Sequence, residues 1–298
     1  EAYVTGEIWG EAAPWVGAHA FDAVMNYEFA APVVQWVFDR KPKLSASAFD
    51  QRMAAVRSAI PAQAAYVMQN LLASHDTDRA VSMARNPGRD YNKRNREQDA
   101  PEYDGGKPGE AEYRRLRLAA LIQMTYVGAP MIWYGTEAGM WGSSDPNNRK
   151  PMLWADHEPY AVPEQNHVMP DLLQYYRDVI ALRHAHPALR TGAFHSVLAD
   201  DARDVWAFVR TGTTGPRGTL PAAAVDGRAA ASEALADVSE VLVALNASDE
   251  TQCVTLPVEA DGWREVFAGA VAPGVPPAFP EVRLAAVSGR VWARSRPA

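Results

Sequence analysis

The sequence predicts an α/β domain over residues 1–192 and a small antiparallel β domain over residues 193–298. In the first part, short apolar segments that end in polar or small residues alternate with segments of helical spacing. Near-continuous apolar strands are typical of parallel sheets covered on both faces, and their alternation with helices indicates right-handed βαβ units. After residue 192 the helical spacing disappears, and short strands separated by turn residues follow.

The elements of the first part follow from these patterns. The four predicted strands are AYVTGEIW (2–9), FDAVMNYEF (21–29), AAYVMQNLLASHD (64–76) and YVGAPMIWYGTE (126–137). Apolar residues at helical spacing predict helices over 47–60, 110–126 and 171–189. We expect Pro187 to stop the last helix.

The β domain is predicted from six strand-like segments. They are FHSVLA, DVWAFVR, EVLVALNAS, QCVTLPV, WREVFAG and GRVWARS. Residues 211–240, rich in Gly, Ala and Pro, predict a mobile surface insertion. We expect Cys253 to be a small buried hydrophobe. Residues 85–110 lack periodicity, and loops of this length are often functional. The basic residues at 85–96 sit among acidic ones and predict a solvated loop.

Composition excludes several classes of function. The net charge of −7 and a pI near 5.5 argue against a nucleic-acid partner, because no strong basic surface is available. Apolar runs are too short to span a membrane, and EAYVTGEIWG does not resemble a signal peptide. One cysteine excludes an internal disulfide and a cysteine-rich metal site. Cytoplasmic and secreted locations both stay open, and the strand-like start predicts that residue 1 is not the natural start of the gene product.

Polar residues border each predicted strand of the first part. They are Glu7, Asp22, Asn26, His75, Asp76, Tyr134, Glu137 and Asp145. If the strands are parallel neighbours, these groups gather at one end of the sheet, where such folds place their active sites. Two carboxylates beside an imidazole suit acid–base chemistry at a sugar acetal. Singly, however, each of these residues also fits an ordinary solvated loop.

Aromatic residues occur near the same strand ends. They are Trp9, Trp15, Tyr27, Trp133, Tyr134, Trp141 and Trp154. Their rings are suitable platforms for the apolar faces of sugars. An aromatic residue at a strand end also fits a packed core, so the aromatic cluster alone does not decide between the two interpretations.

Three segments carry a resemblance to a known family. GEIWGEAAPWVGAHAFDAVMNYEF, NLLASHDTDR and GAPMIWYGTEAGMWGSSDPNNRKPMLW resemble the α-amylase superfamily of glycoside hydrolases. Within it they are most similar to the neopullulanase, cyclomaltodextrinase and maltogenic amylase group. The resemblance covers about residues 1–190. It implies that residues 1–192 form the second half of a (β/α)8 TIM barrel, strands 5 to 8, followed by an antiparallel β-sandwich domain.

The resemblance also implies roles for individual residues. Glu7 matches the general acid/base, and Asp76 matches the acid that stabilises the transition state. His75 matches the histidine that hydrogen-bonds the sugar before the cleaved bond. Asp145 and Arg149 match a pair that binds more distant glucose units. The remaining predicted substrate-binding residues line the cleft and are Trp9, Asn26, Tyr27 and Tyr134.

One family motif is missing. The nucleophile of the family is an aspartate in a G-x-R-x-D strand, preceded by a D-x-x-x-N-H motif, and neither occurs in these residues. Neither Asp22 nor Asp76 is a convincing substitute. We therefore expect the chain alone to be inactive. Because a half barrel has open strand edges, we also expect it to associate with the missing half, to dimerise, or to be cut from a longer protein.

The expected function is part of a retaining hydrolase that cleaves α-1,4 and, as a second option, α-1,6 glucosidic bonds. Its expected partners are maltooligosaccharides, cyclodextrins or starch-like glucans. A non-catalytic maltodextrin-binding fragment, an α-glucan transferase and a trehalose synthase-type isomerase are the alternatives. We expect no cofactor requirement and no metal at the site; Ca²⁺ in the intact protein is left open, since the usual ligands lie largely upstream.

Overall fold

A short parallel sheet runs through the first part of the chain. The computed structural model describes residues 2–17, 20–39, 43–160, 167–213, 238–270, 272, 274–275 and 277–296. The strands are β1 (Thr5–Gly6), β2 (Ala23–Val24), β3 (Gln69–Leu71) and β4 (Ala129–Met131). β1 pairs with β2 and β3 with β4, both in parallel, and a bridge between Met25 and Gln69 joins the two pairs. The spatial order is therefore the chain order.

Helices connect and cover these strands. They are α1 (Tyr27–Val33), α2 (Ala46–Ser58), α3 (Ala62–Ala65), α4 (Ala80–Arg85), α5 (Glu110–Thr125), α6 (Pro170–Ala185) and α7 (Pro187–Thr191). A π-helical turn, Val34–Phe38, continues α1. Among the described residues, no helix has both the length and the apolar character that a membrane span requires.

The last third of the chain is antiparallel β structure. Its strands are β5 (Ala193–Asp200), β6 (Val205–Thr213), β7 (Val238–Asn246), β8 (Gln252–Thr255), β9 (Arg264–Ala268), β10 (Glu281–Leu284) and β11 (Ser288–Arg296). Five form a sheet in the order β5-β6-β7-β11-β9, and β8 pairs with β10. Successive side chains of β6 point to opposite faces of the sheet and belong to two hydrophobic cores. Trp206 and Phe208 pack in the core shared with the helices. Val205 and Ala207 pack in the core shared with β8 and β10.

Several sequence predictions about the elements were wrong in extent. The apolar runs at 21–29 and 64–76 are only partly strand, because Tyr27–Phe29 begin α1 and Ala62–Ala65 form α3. Short apolar runs do not distinguish a strand from a buried helix. Pro187 ends α6 as predicted, but it also begins α7.

The predictions for the β domain were partly confirmed. The six predicted strands are present, and β10 was missed. Cys253 is exposed, because its neighbour Val254 takes the inward position of β8. Of the predicted insertion, residues 214–237 lie outside the described residues; the ends of the segment belong to β6 and β7.

A buried arginine links the β domain to the helices. Arg210 of β6 is fully buried, and its guanidinium donates to the carbonyls of Thr125 at 2.8 Å, Leu189 at 3.0 Å and Gly192 at 2.9 Å. Burial away from water lowers the pKa of Arg210 to about 9, so it remains cationic at neutral pH. These carbonyls lie at or near the ends of α5 and α7, where helices leave acceptors without an intrahelical donor.

We expect Arg210→Met to lower the free energy of unfolding by about 2–4 kcal/mol, because the Thr125 carbonyl loses its side-chain donor and the Leu189 and Gly192 carbonyls each lose one of two. Urea denaturation measures this change. The matched control is Arg177→Met on the exposed side of α6, which should change stability by less than about 0.5 kcal/mol. If both substitutions lower the free energy of unfolding equally, Arg210 does not stabilise the contact between the β domain and the helices.

Candidate active site

Three predicted site residues meet at the carboxyl ends of β1 and β3. His75 Nε2 lies 3.7 Å from Glu7 Oε2 and 3.4 Å from Asp76 Oδ2. One ligand atom from each side chain lies within 4.8 Å of the others. The side chains of Glu7, His75 and Asp76 are 33%, 34% and 40% exposed, so a solute can reach all three.

The hydroxyl of Tyr27 joins the two sides of this group. It donates to Glu7 Oε1 at 2.7 Å and lies 3.0 Å from Ser74 Oγ. Ser74 Oγ in turn accepts from the backbone N–H of Asp76 at 3.1 Å. Burial raises the pKa of the Tyr27 phenol above its usual value, so Tyr27 keeps its proton and remains a donor. Glu7 thus has one oxygen held in place and one, Oε2, directed toward His75.

The loop after β4 supports the backbone of the His75–Asp76 segment. The buried Asn148 amide donates to the carbonyls of His75 and Thr77, both at 2.7 Å. Ser144 Oγ donates to the Asp76 carbonyl at 3.1 Å. These bonds fix a loop that follows a very short strand.

The predicted Asp145–Arg149 pair is formed, and it reaches the same site. Arg149 Nε lies 3.3 Å from Asp145 Oδ1, and Arg149 Nη2 lies 2.9 Å from Asp76 Oδ1. Arg149 Nε also donates to the His75 carbonyl at 3.0 Å. The Arg149 side chain is 46% exposed, so it can still meet a ligand beside Asp76.

Aromatic rings border the site. Trp9 is 40% exposed and stacks on Tyr27 with a centroid separation of 3.8 Å. The ring of Trp133 lies 6.0 Å from that of His75. Trp15 and Trp154 are exposed, whereas Trp141 is buried. Trp9 therefore offers an accessible apolar face beside Glu7.

Asn26 and Tyr134, both predicted to bind substrate, make structural bonds. Asn26 is buried: its amide donates to Asn70 Oδ1 at 2.8 Å, and its oxygen accepts from the Phe29 N–H, which caps α1. The Tyr134 hydroxyl donates to the Lys150 carbonyl at 2.6 Å. Their contact with a sugar stays a prediction.

Asp22 lies at the opposite end of the strands, so the expectation that it joins the site was wrong. Its carboxylate accepts from the N–H of Val4 at 2.7 Å. Both residues precede their strands, and in a parallel pair this places them at the amino end.

Two residues after Asp76, a buried charge pair anchors the long polar loop. Asp78 Oδ2 lies 2.6 Å from Arg89 Nη2 and accepts from the Tyr103 hydroxyl at 2.9 Å. Burial raises the pKa of Asp78, while Arg89 opposes this shift. Arg89 is thus part of the support of the site, which corrects the prediction that the basic residues of this loop are only solvated.

Comparisons with known proteins agree on one family. The family model described as "Alpha amylase, catalytic domain" matches residues 1–192. Neopullulanase 2 of Thermoactinomyces vulgaris is 37% identical over 211 residues, which are 71% of this chain and 30% of that protein. A cyclomaltodextrinase of Bacillus sp is 36% identical, over 70% of this chain and 31% of its own length. The chain therefore spans about a third of the length of these curated relatives.

Solved structures show the same fold. A cyclomaltodextrinase structure matches 97% of this chain and 40% of its own, with a TM-score of 0.67 and 28% identity. The type III pullulan hydrolase of Thermococcus kodakarensis covers 98% of this chain and 40% of its own, with a TM-score of 0.67 and 22% identity. The α-amylase-type TIM-barrel fold predicted from the sequence is supported by these neighbours.

The arrangement brings two carboxylates and an imidazole within reach of one small ligand, with the ring of Trp9 beside them. Sequence reasoning missed Ser74 and Asn148, which connect and support the reactive groups. The only sequence features that could have indicated them are the serine directly before His75-Asp76 and the run of polar residues around Asn148.

We expect Asn148→Ala to accelerate amide exchange in a peptide covering residues 72–79, because the Thr77 carbonyl loses its side-chain donor and the His75 carbonyl keeps only Arg149, at a cost of about 1–3 kcal/mol. Hydrogen–deuterium exchange with mass spectrometry measures it. Asn147→Ala is the matched control, since the Asn147 amide donates instead to Glu97 and Ser143. Unchanged exchange in Asn148→Ala would rule out this support.

Proposed function

Because this chain belongs to the alpha-amylase family of glycoside hydrolases, we propose that Glu7, His75 and Asp76 form part of an active site that cleaves α-glucosidic bonds. The proposed substrates are maltooligosaccharides, cyclodextrins and starch-like glucans, in keeping with the names of the curated relatives. The observation that carries the proposal is the convergence of two carboxylates on one imidazole at the carboxyl ends of β1 and β3.

In the proposed reaction, Glu7 is the general acid. Its Oε2 donates a proton to the glycosidic oxygen as the bond breaks, while the Tyr27 hydroxyl keeps Oε1 in position. Because the departing oxygen becomes a hydroxyl, no alkoxide has to leave. The same carboxylate then takes a proton from the incoming water, as microscopic reversibility requires.

Asp76 is the proposed stabiliser of the transition state. As an ionised carboxylate, it accepts hydrogen bonds from sugar hydroxyls, and these bonds strengthen as positive charge develops on the ring. Arg149 holds Asp76 Oδ1 and leaves Oδ2 toward His75. His75 donates to a hydroxyl of the same sugar unit, and Trp9 covers its apolar face.

A retaining mechanism requires a nucleophilic carboxylate about 5–5.5 Å from the general acid. The sequence contains no G-x-R-x-D strand, and Asp22 lies at the other end of the sheet. We therefore propose that the nucleophile comes from a polypeptide segment outside these 298 residues.

The strand edges offer a place for that segment. Among the described residues, β1 pairs only with β2 and β4 only with β3. Tyr3 and Val4, which immediately precede β1, are 53% and 47% exposed. Unpaired edges with exposed apolar side chains favour pairing with another strand, so we propose that the edge of β1 is an association surface.

We expect the chain alone to release no sugar from maltotriose, β-cyclodextrin or pullulan. A longer gene product that includes an upstream G-x-R-x-D strand should hydrolyse them, and Glu7→Gln should lower its kcat by about 10²–10⁴-fold because the proton donor is lost. Quantitative chromatography of the products gives both the rate and the type of reaction.

Glu11→Gln, which changes an exposed glutamate four residues away, is the matched control and should leave kcat unchanged. Turnover by the chain alone, abolished by Glu7→Gln, would contradict the external nucleophile. An extended protein that binds maltotriose without turnover would favour a glucan-binding role. Products longer than the substrate would indicate a transferase.

We expect the isolated chain to associate through the edge of β1, giving a mass above the 32.5 kDa of one copy in size-exclusion chromatography with light scattering. Val4→Lys should shift the mass toward the monomer, since edge lysines oppose strand pairing. Val275→Lys, at a residue that is 84% exposed in the β domain, should not. A stable, folded monomer of the unchanged chain would refute this proposal.

A further inference from the structure

The structure points to a second ligand for the Glu7–His75–Asp76 group. We propose that these three side chains bind one Zn²⁺ ion and that the ion competes with glucan for the site. The competition rests on the proposed function, because it requires sugar to occupy the same residues; metal binding itself does not.

The distances fit a tetrahedral ion. With metal–ligand bonds of about 2.0–2.2 Å, neighbouring ligand atoms of a tetrahedral site lie roughly 3.3–3.6 Å apart. The two distances from His75 Nε2, 3.4 Å to Asp76 Oδ2 and 3.7 Å to Glu7 Oε2, are close to that range. One set of ligand atoms, one from each of the three side chains, lies within 4.8 Å of one another, so the two carboxylates are also within reach of a single ion.

The outer contacts already select the oxygens that would bind the ion. The Tyr27 hydroxyl holds Glu7 Oε1, and Arg149 Nη2 holds Asp76 Oδ1. Each bond therefore leaves the other oxygen, Oε2 or Oδ2, on the side of His75. Outer hydrogen bonds that orient carboxylate ligands in this way strengthen metal sites.

Ligand type favours Zn²⁺ over the hard cations, and the charge of the site favours a cation in general. The carboxylates of Glu7 and Asp76 flank one imidazole, and an added cation between them relieves their mutual repulsion. An imidazole nitrogen favours zinc and copper, whereas calcium prefers six to eight oxygen ligands. Three protein ligands leave a fourth position for water, and this position overlaps the space proposed for the sugar.

Isothermal titration calorimetry of the tag-free chain with ZnCl₂ tests the metal site without any need for turnover. We expect one ion per chain, with CaCl₂ giving no comparable heat. His75→Gln and Asp76→Asn should each weaken binding at least tenfold, since each removes a ligand. Circular dichroism of both variants checks that they remain folded.

His157→Gln is the matched control and should leave the affinity unchanged. His157 lies 4.0 Å from Asp156 in an exposed pair that belongs to no group of three ligands among the described residues. Absence of one-to-one Zn²⁺ binding, or equal affinity in His75→Gln and the unchanged chain, would overturn the proposal.

A second titration separates the metal site from the proposed function. Saturating maltotriose should raise the apparent Kd for Zn²⁺ at least tenfold if both ligands use these residues. If Zn²⁺ binding depends on His75 but its Kd does not change with maltotriose, the proposed competition is refuted. This result would also count against the glucan site, whereas the metal site would be confirmed.

Discussion

The hydroxyl of Tyr27 is the contact on which the site depends. It lies between Glu7 at the end of β1 and Ser74 after β3, and Ser74 in turn holds the N–H of Asp76. Residues nearly 70 positions apart are thereby fixed relative to one another through a single O–H group. Because burial keeps that phenol protonated, the link persists across the neutral range. Hydrogen bonds that fix reacting groups in advance are a main source of catalytic power.

Short strands make such links necessary. With strands of two or three residues, β1 to β4 set the direction of the chain but do not by themselves immobilise the loops that follow. Buried polar groups immobilise these loops instead. Asn148 binds the carbonyls on both sides of Asp76, and Asp78 binds Arg89 and Tyr103 of the long polar loop. Breaking these bonds would leave further buried polar groups without partners, so each bond constrains its loop strongly.

The sequence was most informative where one pattern determines one structure. Helix α5 begins at its predicted first residue, where Glu112 accepts from the Gly109 N–H, and it ends within one residue of its prediction. The meeting of Glu7 with His75 and Asp76 also followed from polar residues after parallel strands. Asp22 was misplaced because it precedes its strand, and Tyr27 was taken as strand because Asn26 was not recognised as a helix cap. Partners such as Ser74 depend on three-dimensional packing that no local pattern contains.

The proposed function requires Glu7, His75 and Asp76 to bind one glucose unit together. Nuclear magnetic resonance of the chain labelled with ¹⁵N-histidine tests it directly, with the His75 signals assigned from the His75→Gln variant. Titration with maltotriose should shift the ring nitrogen signals of His75 and leave those of the distant His157 unchanged. If the His75 signals of the folded chain do not move during the titration, His75 does not bind the sugar and the proposed glucan site is ruled out.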